Sequence, residues 1–136
     1  MVETVISANN REEVIVLPFT PPGLQITEPQ ANDTFDGLSR GRRMIGTMQP
    51  RTVQWSSRFF RRRMPWMHPQ TAADPMDYVD FFRKWRGARV PLRIVVADET
   101  REILNMAVTV DDFDWELLRT GDIEYSITLS EYEFIR

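Results

Sequence analysis

Alternation of apolar and polar residues predicts a series of β-strands along this chain. In "RTVQWSSRFF" (51–60), Val53 and Trp55 share one side of a strand. In "DIEYSITLSEYEF" (122–134), alternate positions from 123 to 129 are apolar, and a one-residue slip after Leu129 predicts a bulge or a twist there. Shorter strands are predicted in "EEVIVLPF", "RVPLRIVVA" and "EILNMAVTV", and "LQI" is expected to pair at a sheet edge.

One helix is predicted over about residues 75–86, in "DPMDYVDFFRKWRG". Asp74 can cap it, Pro75 suits its first position, and Gly87 offers a left-handed stop. Its apolar residues fall at i, i+3, i+4 and i+7, the spacing of one helix face. This predicted core face consists of Tyr78, Phe81, Phe82 and Trp85.

Together these elements predict an α+β fold that is mainly antiparallel β, because the connections between the last strands are short. We expect a single domain over residues 1–136. Residues 1–12 are predicted to form a flexible N-terminal arm, or a frayed first strand. Residues 30–43 are predicted to be loop, and residues 37–73 an extended basic loop region interrupted by the strand at 51–60.

Charge is distributed unevenly, although the net charge of the chain is only −3. Between residues 37 and 73 every charged side chain is an arginine, whereas from Asp98 onward carboxylates dominate. Opposite charge on separate parts of one domain suits contact between repeated copies. The overall acidity argues against a dedicated nucleic-acid-binding domain.

The residue types of most catalytic and metal sites are missing from the sequence. The chain has no cysteine and a single histidine, His68, which excludes thiolate chemistry and multi-histidine metal sites. Asp111, Asp112 and Asp114 lie in "VDDFDWELL", which lacks the glycine and final glutamate of a calcium loop. We read it as a solvated acidic turn that faces a partner. "GLSRGRRMIG" (37–46) lacks the Lys-Ser/Thr ending of a phosphate loop. No enzyme activity, metal or cofactor is therefore expected.

The segment "RFFRRRMPWMHP" (58–69) concentrates arginine and aromatic side chains in a loop broken by two prolines. Arginine beside aromatic residues is the chemistry of phosphate contact and base stacking, so a small nucleic-acid-binding module is one interpretation. The same residue types are enriched at protein interfaces, and the chain has sixteen arginines against one lysine. A third possibility is that the aromatic residues fill the core. The predicted interface comprises Arg58, Phe59, Phe60, Arg61, Arg62, Arg63 and Trp66, with Asp111, Asp112 and Asp114 as its acidic counterpart.

The order of motifs resembles the N-terminal domain of phage tail baseplate proteins of the Gram-positive type, in which a LysM module often follows. The resemblance is carried by "LPFTPPGLQITEP", "RTVQWSSRFF", "DPMDYVDFFRKWRGARVPLRIVV", "NMAVTVDDFDWE" and "GDIEYSITLSEYEFI", over roughly residues 14–135. The second half is also similar to small proteins at the start of contractile tail tubes. This sequence departs from the longer relatives in having no LysM module, so peptidoglycan contact is not expected.

The resemblance implies a non-enzymatic structural protein of a phage or phage-like contractile tail. The implied fold is a tail-tube-like β-sandwich or barrel with one flanking helix. Its implied role is a homohexameric ring that connects the tail tube to the baseplate hub, the tube and hub proteins being its partners. It would be a virion tail component assembled in the host bacterial cytoplasm, with no membrane contact. DNA would pass through the ring without specific recognition.

Overall fold

Nine strands and one helix are formed by residues 2–37, 40–72 and 74–134, the part of the chain that the computed structural model describes. The elements are β1 (Glu3–Ala8), β2 (Glu13–Val16), β3 (Gln25–Thr27), β4 (Asp33–Asp36), β5 (Gly41–Met44), β6 (Thr52–Phe59), α1 (Met76–Ala88), β7 (Leu92–Ala97), β8 (Glu102–Leu117) and β9 (Ile123–Glu131). Seven strands form one sheet in the order β2-β1-β7-β8-β9-β6-β3, and β4 pairs with β5. Every pairing is antiparallel, so the predicted α+β, mainly antiparallel β class is confirmed.

The helix packs its aromatic stripe on one face of the large sheet. Tyr78, Phe81, Phe82 and Trp85 are each at most 5% exposed, which confirms the predicted core face. The Asp74 carboxylate accepts a hydrogen bond from the Met76 backbone N–H at 2.9 Å, but Pro75, predicted as the first helical residue, is the N-cap, and the helix begins at Met76. The predicted stop at Gly87 is wrong. The helix passes through Gly87 to Ala88, and Arg89 takes the left-handed conformation with φ 59°.

Three stacked rings join the helix to two strands of the sheet. The Phe59 ring of β6 lies 4.4 Å from the Tyr78 ring of α1 and 4.0 Å from the Tyr125 ring of β9. The Tyr78 hydroxyl donates to the Val16 carbonyl at 2.9 Å, and the Tyr125 hydroxyl accepts from Trp55 Nε1 at 2.9 Å. Burial raises the pKa of both tyrosines. This stack therefore fills the core without leaving either hydroxyl unpaired.

A bulge at Asp111 lets the long strand β8 keep its apolar residues on the core side. Val110 lies opposite Leu129, whereas Asp112 lies opposite Thr128, so Asp111 is the extra residue. The inward positions are even-numbered before the bulge and odd-numbered after it. The predicted bulge after Leu129 is wrong, since β9 keeps its register with both neighbours there. The acidic segment predicted as a turn is also part of β8.

The N-terminal residues are not the flexible arm that the sequence predicts. Strand β1 lies between β2 and β7 and is hydrogen-bonded to both. Thr4, Ile6 and Ala8 are buried against the core, and the Thr4 and Thr20 hydroxyls are 3.0 Å apart. The mixed polarity of "ETVISA" hid this strand, because Thr4 and Ser7 are buried although they are polar.

The segment predicted as loop at 30–43 contains β4 and β5, which pair as an exposed hairpin. The predicted extended basic region at 37–73 therefore holds two strands, β5 and β6, as far as it is described. Met1, Leu38, Ser39, Ala73, Ile135 and Arg136 lie outside the described residues, and the tip of the phosphate-loop candidate at 37–46 lies among them. In the described ranges no helix has the length and apolar character required to cross a membrane.

Substituting each of the two adjacent phenylalanines tests which one supports the core. Phe59→Ala should lower the free energy of unfolding by about 3–5 kcal/mol, because it leaves a cavity between two rings. Phe60→Ala should cost less than about 2 kcal/mol, since Phe60 is half-buried. Urea denaturation of both variants measures the difference. Equal losses would contradict the stacked-ring core.

Candidate protein interface

The loop that connects β6 to α1, residues 60–72, is fastened to the sheet by His68. Its backbone N–H donates to the Pro18 carbonyl at 2.7 Å. The ring Nδ1 accepts from the Gln70 backbone N–H at 3.1 Å, so the proton resides on Nε2, which lies 2.8 Å from the Glu3 carboxylate. These contacts give the histidine an anchoring role in the loop.

Two of the four predicted interface arginines bind groups of their own chain. Arg58 pairs with Glu124 and lies 3.9 Å from Asp122. Arg63 donates to the carbonyls of Pro69 and Thr71, at 2.8 and 3.4 Å, and so closes the loop. The prediction that all four arginines face a partner has to be revised for these two.

The other two arginines differ in how they meet the sheet. The aliphatic part of Arg61 lies over Gly121, where an added Cβ would come within 2.5 Å of Arg61 Cδ. Gly121 also has a φ of +91°, which favours glycine. Arg62 is exposed and has no hydrogen-bond or ion-pair partner in the described ranges. Arg62 is therefore the arginine of this loop that is most available to another molecule.

The predicted aromatic anchors separate into one core residue and two surface residues. Phe59 is 1% exposed and is not available to a partner. Phe60 and Trp66 form a surface cluster with Phe19, with Trp66 edge-on to both phenylalanines at ring distances of 5.2 and 5.4 Å. Trp66 is 47% exposed. This aromatic cluster resembles the anchors found at interface centres.

The acidic residues of β8 lie on the outer face of the sheet, opposite the helix. Asp111 accepts hydrogen bonds from the Thr109 and Ser130 hydroxyls, so its carboxylate is already hydrogen-bonded within the chain at the bulge. Asp112 and Asp114 are exposed and have no such partner in the described residues. The structure thus places only two of the three predicted acidic residues where a partner could reach them.

A shallow depression on this outer face brings acidic residues beside an aromatic ring. We call it the acidic groove. It is lined by Phe19, Pro22 and residues 56–58, 114–116 and 124–126. Along one row of the sheet, Arg58 lies opposite Glu124, and Glu124 lies opposite Glu116. Arg58 neutralises Glu124, but Glu116 faces a like charge across the strands. The groove therefore keeps an excess of negative charge.

Sequence reasoning missed the most exposed part of the chain. Residues 28–37 and 40–50, which we call the projecting hairpin, are all exposed except for Gly46. The two halves are joined by the β4–β5 ladder, by a bridge between Gln30 and Met48, and by the Ala31 N–H donating to the Thr47 carbonyl at 2.9 Å. Its strands lack apolar alternation because neither side packs on a core, so period-2 analysis could not detect them.

A close backbone approach at Gly46 shapes the stem of the projecting hairpin. A Cβ at Gly46 would lie 1.7 Å from the Ala31 carbonyl oxygen, so a side chain cannot fit without moving the backbone. The Gly46 N–H donates to the Asn32 side chain at 2.9 Å, and its carbonyl accepts from Gln30 Nε2 at 3.0 Å. These contacts give the hairpin a defined shape without support from the sheet.

The projecting hairpin carries apolar side chains that nothing in the described chain covers. Phe35 is 61% exposed, Met44 59%, Ile45 83% and Met48 60%. Phe35 pairs with Arg42 and Asp33 pairs with Met44, so these four side chains share one face. The opposite face carries Thr34 and Arg43, whose side chains are hydrogen-bonded at 3.0 Å. One face therefore carries Phe35 and Met44 together with Arg42 and Asp33, and the other carries Thr34 and Arg43.

The projecting hairpin joins the sheet at an ion pair between Arg51 and Glu131. Arg51 donates through Nε and Nη2 to the two carboxylate oxygens, at 3.3 and 3.0 Å, and its backbone N–H also donates to the same group at 3.0 Å. The hydrogen bonds from Arg51 lower the pKa of Glu131 below its usual range. This pair fixes the direction in which the hairpin leaves the body.

Comparison of the sequence with protein-family models and with curated proteins finds no match. Inside the described ranges, no group of three or more potential metal-ligating His, Cys, Asp or Glu side chains occurs. What the geometry assembles instead is a set of surfaces suited to protein contact: the aromatic cluster, the acidic groove and the projecting hairpin.

The Arg51–Glu131 pair should make stability depend on pH. Because the pKa of Glu131 is lowered in the folded state, its contribution is present above the ordinary glutamate pKa and is lost as pH falls through the lowered value. Glu131→Gln should therefore cost up to about 1 kcal/mol near pH 7, with the partial exposure of the pair limiting the effect.

This cost should begin to shrink as the pH falls below the ordinary glutamate pKa and should vanish once the pH is below the lowered value, where the wild-type carboxyl is also neutral. Urea denaturation of both proteins at a series of pH values measures it. A difference that stays constant across the series would contradict the assignment.

Proposed function

We propose that this protein is a structural, non-enzymatic component of a phage or phage-like contractile tail. In this role it forms a ring of identical copies that connects the tail tube to the baseplate hub. The observation that carries the proposal is the projecting hairpin, whose apolar side chains have no cover in the described chain. Exposed apolar residues beside arginine are characteristic of protein interfaces.

The distribution of charge supports repeated contact between copies. In the described ranges Arg40, Arg42 and Arg62 have no ion-pair partner, and neither do Asp112, Asp114 and Glu116 on the outer face of β8; the hairpin also carries Glu28, Asp33 and Asp36. Complementary patches at separate places on one domain allow a head-to-tail contact, which closes into a ring when the rotation per copy permits. A six-fold ring follows the expectation from the resemblance.

The place within a contractile tail rests on the order of sequence motifs. The mainly antiparallel sheet with one packed helix is compatible with the tail-tube kind of fold that the resemblance implies. In this role the protein acts as a connector, with the tube and hub proteins as partners and the virion tail as its location.

The alternative, a nucleic-acid-binding module at residues 58–68, has less in its favour. Two of its four arginines are engaged within the chain, and Phe59 is in the core. Arg62 and Trp66 remain as exposed groups for phosphate contact and base stacking.

Particles isolated from producing cells test the connector role. Electron microscopy with quantitative mass spectrometry should find the protein as a stoichiometric ring at the base of the tail. Finding it only as a soluble monomer in such cells would contradict the proposal. On random DNA at about 150 mM salt the purified protein should run without retardation, whereas strong, salt-sensitive retardation would favour the nucleic-acid alternative.

A further inference from the structure

The projecting hairpin cannot cover its apolar face with its own domain. It leaves the sheet at the start of β6, where Arg51 binds Glu131, and the acidic groove lies toward the other end of that strand, at residues 56–58. At about 3.3 Å per residue, β6 separates the two by roughly 17–23 Å, and the Gln30–Met48 bridge and the β4–β5 ladder continue the β3–β6 pairing away from the groove. A second molecule must therefore supply whatever covers it.

The face of the projecting hairpin that carries the apolar side chains also carries two charged ones, Arg42 opposite Phe35 and Asp33 opposite Met44. Phe35 and Met44 lie beside Arg42, and Arg42 has no hydrogen-bond or ion-pair partner in the described part of the chain. A partner surface must then combine apolar contact with negative charge. Without the charge, docking would bury an unpaired guanidinium, which is costly.

The acidic groove has that combination. Phe19 supplies an aromatic edge, and Asp114 and Glu116 supply carboxylates that have no intrachain partner in the described residues. Glu116 lies opposite Glu124, whose charge is already matched by Arg58, so one added cation would relieve the remaining repulsion. Each surface therefore provides the groups that the other lacks.

We infer that the projecting hairpin of one copy docks in the acidic groove of a second copy. Arg42 binds Glu116 and Asp114, while Phe35 and Met44 contact Phe19. The contact is heterologous, because each copy gives a hairpin to one neighbour and receives a hairpin from another, so it builds a ring or a filament. The inference rests on the self-assembly in the proposed function and deepens it by naming the surfaces.

Charge reversal on the two faces of β5 tests the inference with a matched control. Arg42→Glu should weaken self-association at least about tenfold, because it places a carboxylate against the groove. Arg43→Glu, on the opposite face of the same strand, should change it less than about threefold. Sedimentation velocity and native mass spectrometry measure the association, and thermal unfolding of each variant confirms that the body is folded.

Reversal of the groove charge completes the test. Glu116→Arg alone should also weaken assembly at least about tenfold, and the double variant Arg42→Glu with Glu116→Arg should restore it. An equimolar mixture of the two single variants should also assemble, because alternating copies form the native pair at one contact and the swapped pair of the double variant at the next. Failure of the double variant to assemble better than either single variant would overturn the inference, as would equal damage from Arg43→Glu.

The outcomes separate this inference from the proposed function. If the wild-type protein and Arg42→Glu assemble equally well, the inferred hairpin contact is wrong, and the proposed connector role is unaffected. Wild-type protein that remains monomeric at about 100 µM removes the self-docking inference, since copies of the chain then do not bind each other. If isolated particles nevertheless contain the protein, the hairpin must bind a different protein of the tail.

Discussion

The stacking of Phe59 between Tyr78 and Tyr125 is the contact on which the body of this protein depends. It joins β6, β9 and the helix in one column of rings, and the Tyr78 hydroxyl extends it to the end of β2 through the Val16 carbonyl. The same hydroxyl accepts from the Ala72 N–H at 3.0 Å, so the loop that precedes the helix is fixed by the same residue. Aromatic pairs of this kind add stabilisation beyond the area they bury. The loop, the helix and the sheet thus behave as one packed unit.

The sheet and the helix, which form the body of the molecule, pair the polar groups named below within the chain. The parts of the molecule that lack such contacts are therefore informative. The buried tyrosine hydroxyls are paired, the bulge residue Asp111 is held by two hydroxyls, and His68 ties its loop to β1. The projecting hairpin has a regular backbone but leaves Phe35, Met44 and Ile45 in water; in the rest of the described chain Leu117 and Phe134 are exposed to a similar extent, at and beyond the ends of β8 and β9. A rigid element that exposes apolar side chains gains stability when another surface covers it. This contrast, and not any catalytic grouping, is what directs the functional account toward assembly.

The sequence predicts elements well where one side faces a core, and poorly elsewhere. The aromatic spacing at residues 78–85 and the alternation at 123–129 correctly give the helix face and β9, because burial imposes their periods. The projecting hairpin escapes prediction because both of its faces are exposed, and β1 escapes because Thr4 and Ser7 are buried as polar residues. Residues adjacent in sequence can also differ in role: Phe59 enters the core, while Phe60 turns to the surface cluster with Trp66. Which arginines form ion pairs within their own chain depends on strand register, and no local sequence pattern gives that register.

On this account the sheet and the helix pack fully within one chain, whereas the projecting hairpin needs a partner to cover its apolar side chains. Hydrogen exchange, followed by mass spectrometry on the free protein and on the assembled form, tests this directly. We expect amides of β6 and β9 to be strongly protected in both forms. Amides of residues 28–37 and 40–50 should exchange much faster in the free protein and become protected on assembly. Fast exchange of the hairpin in both forms, with new protection confined to other surfaces, would contradict the account.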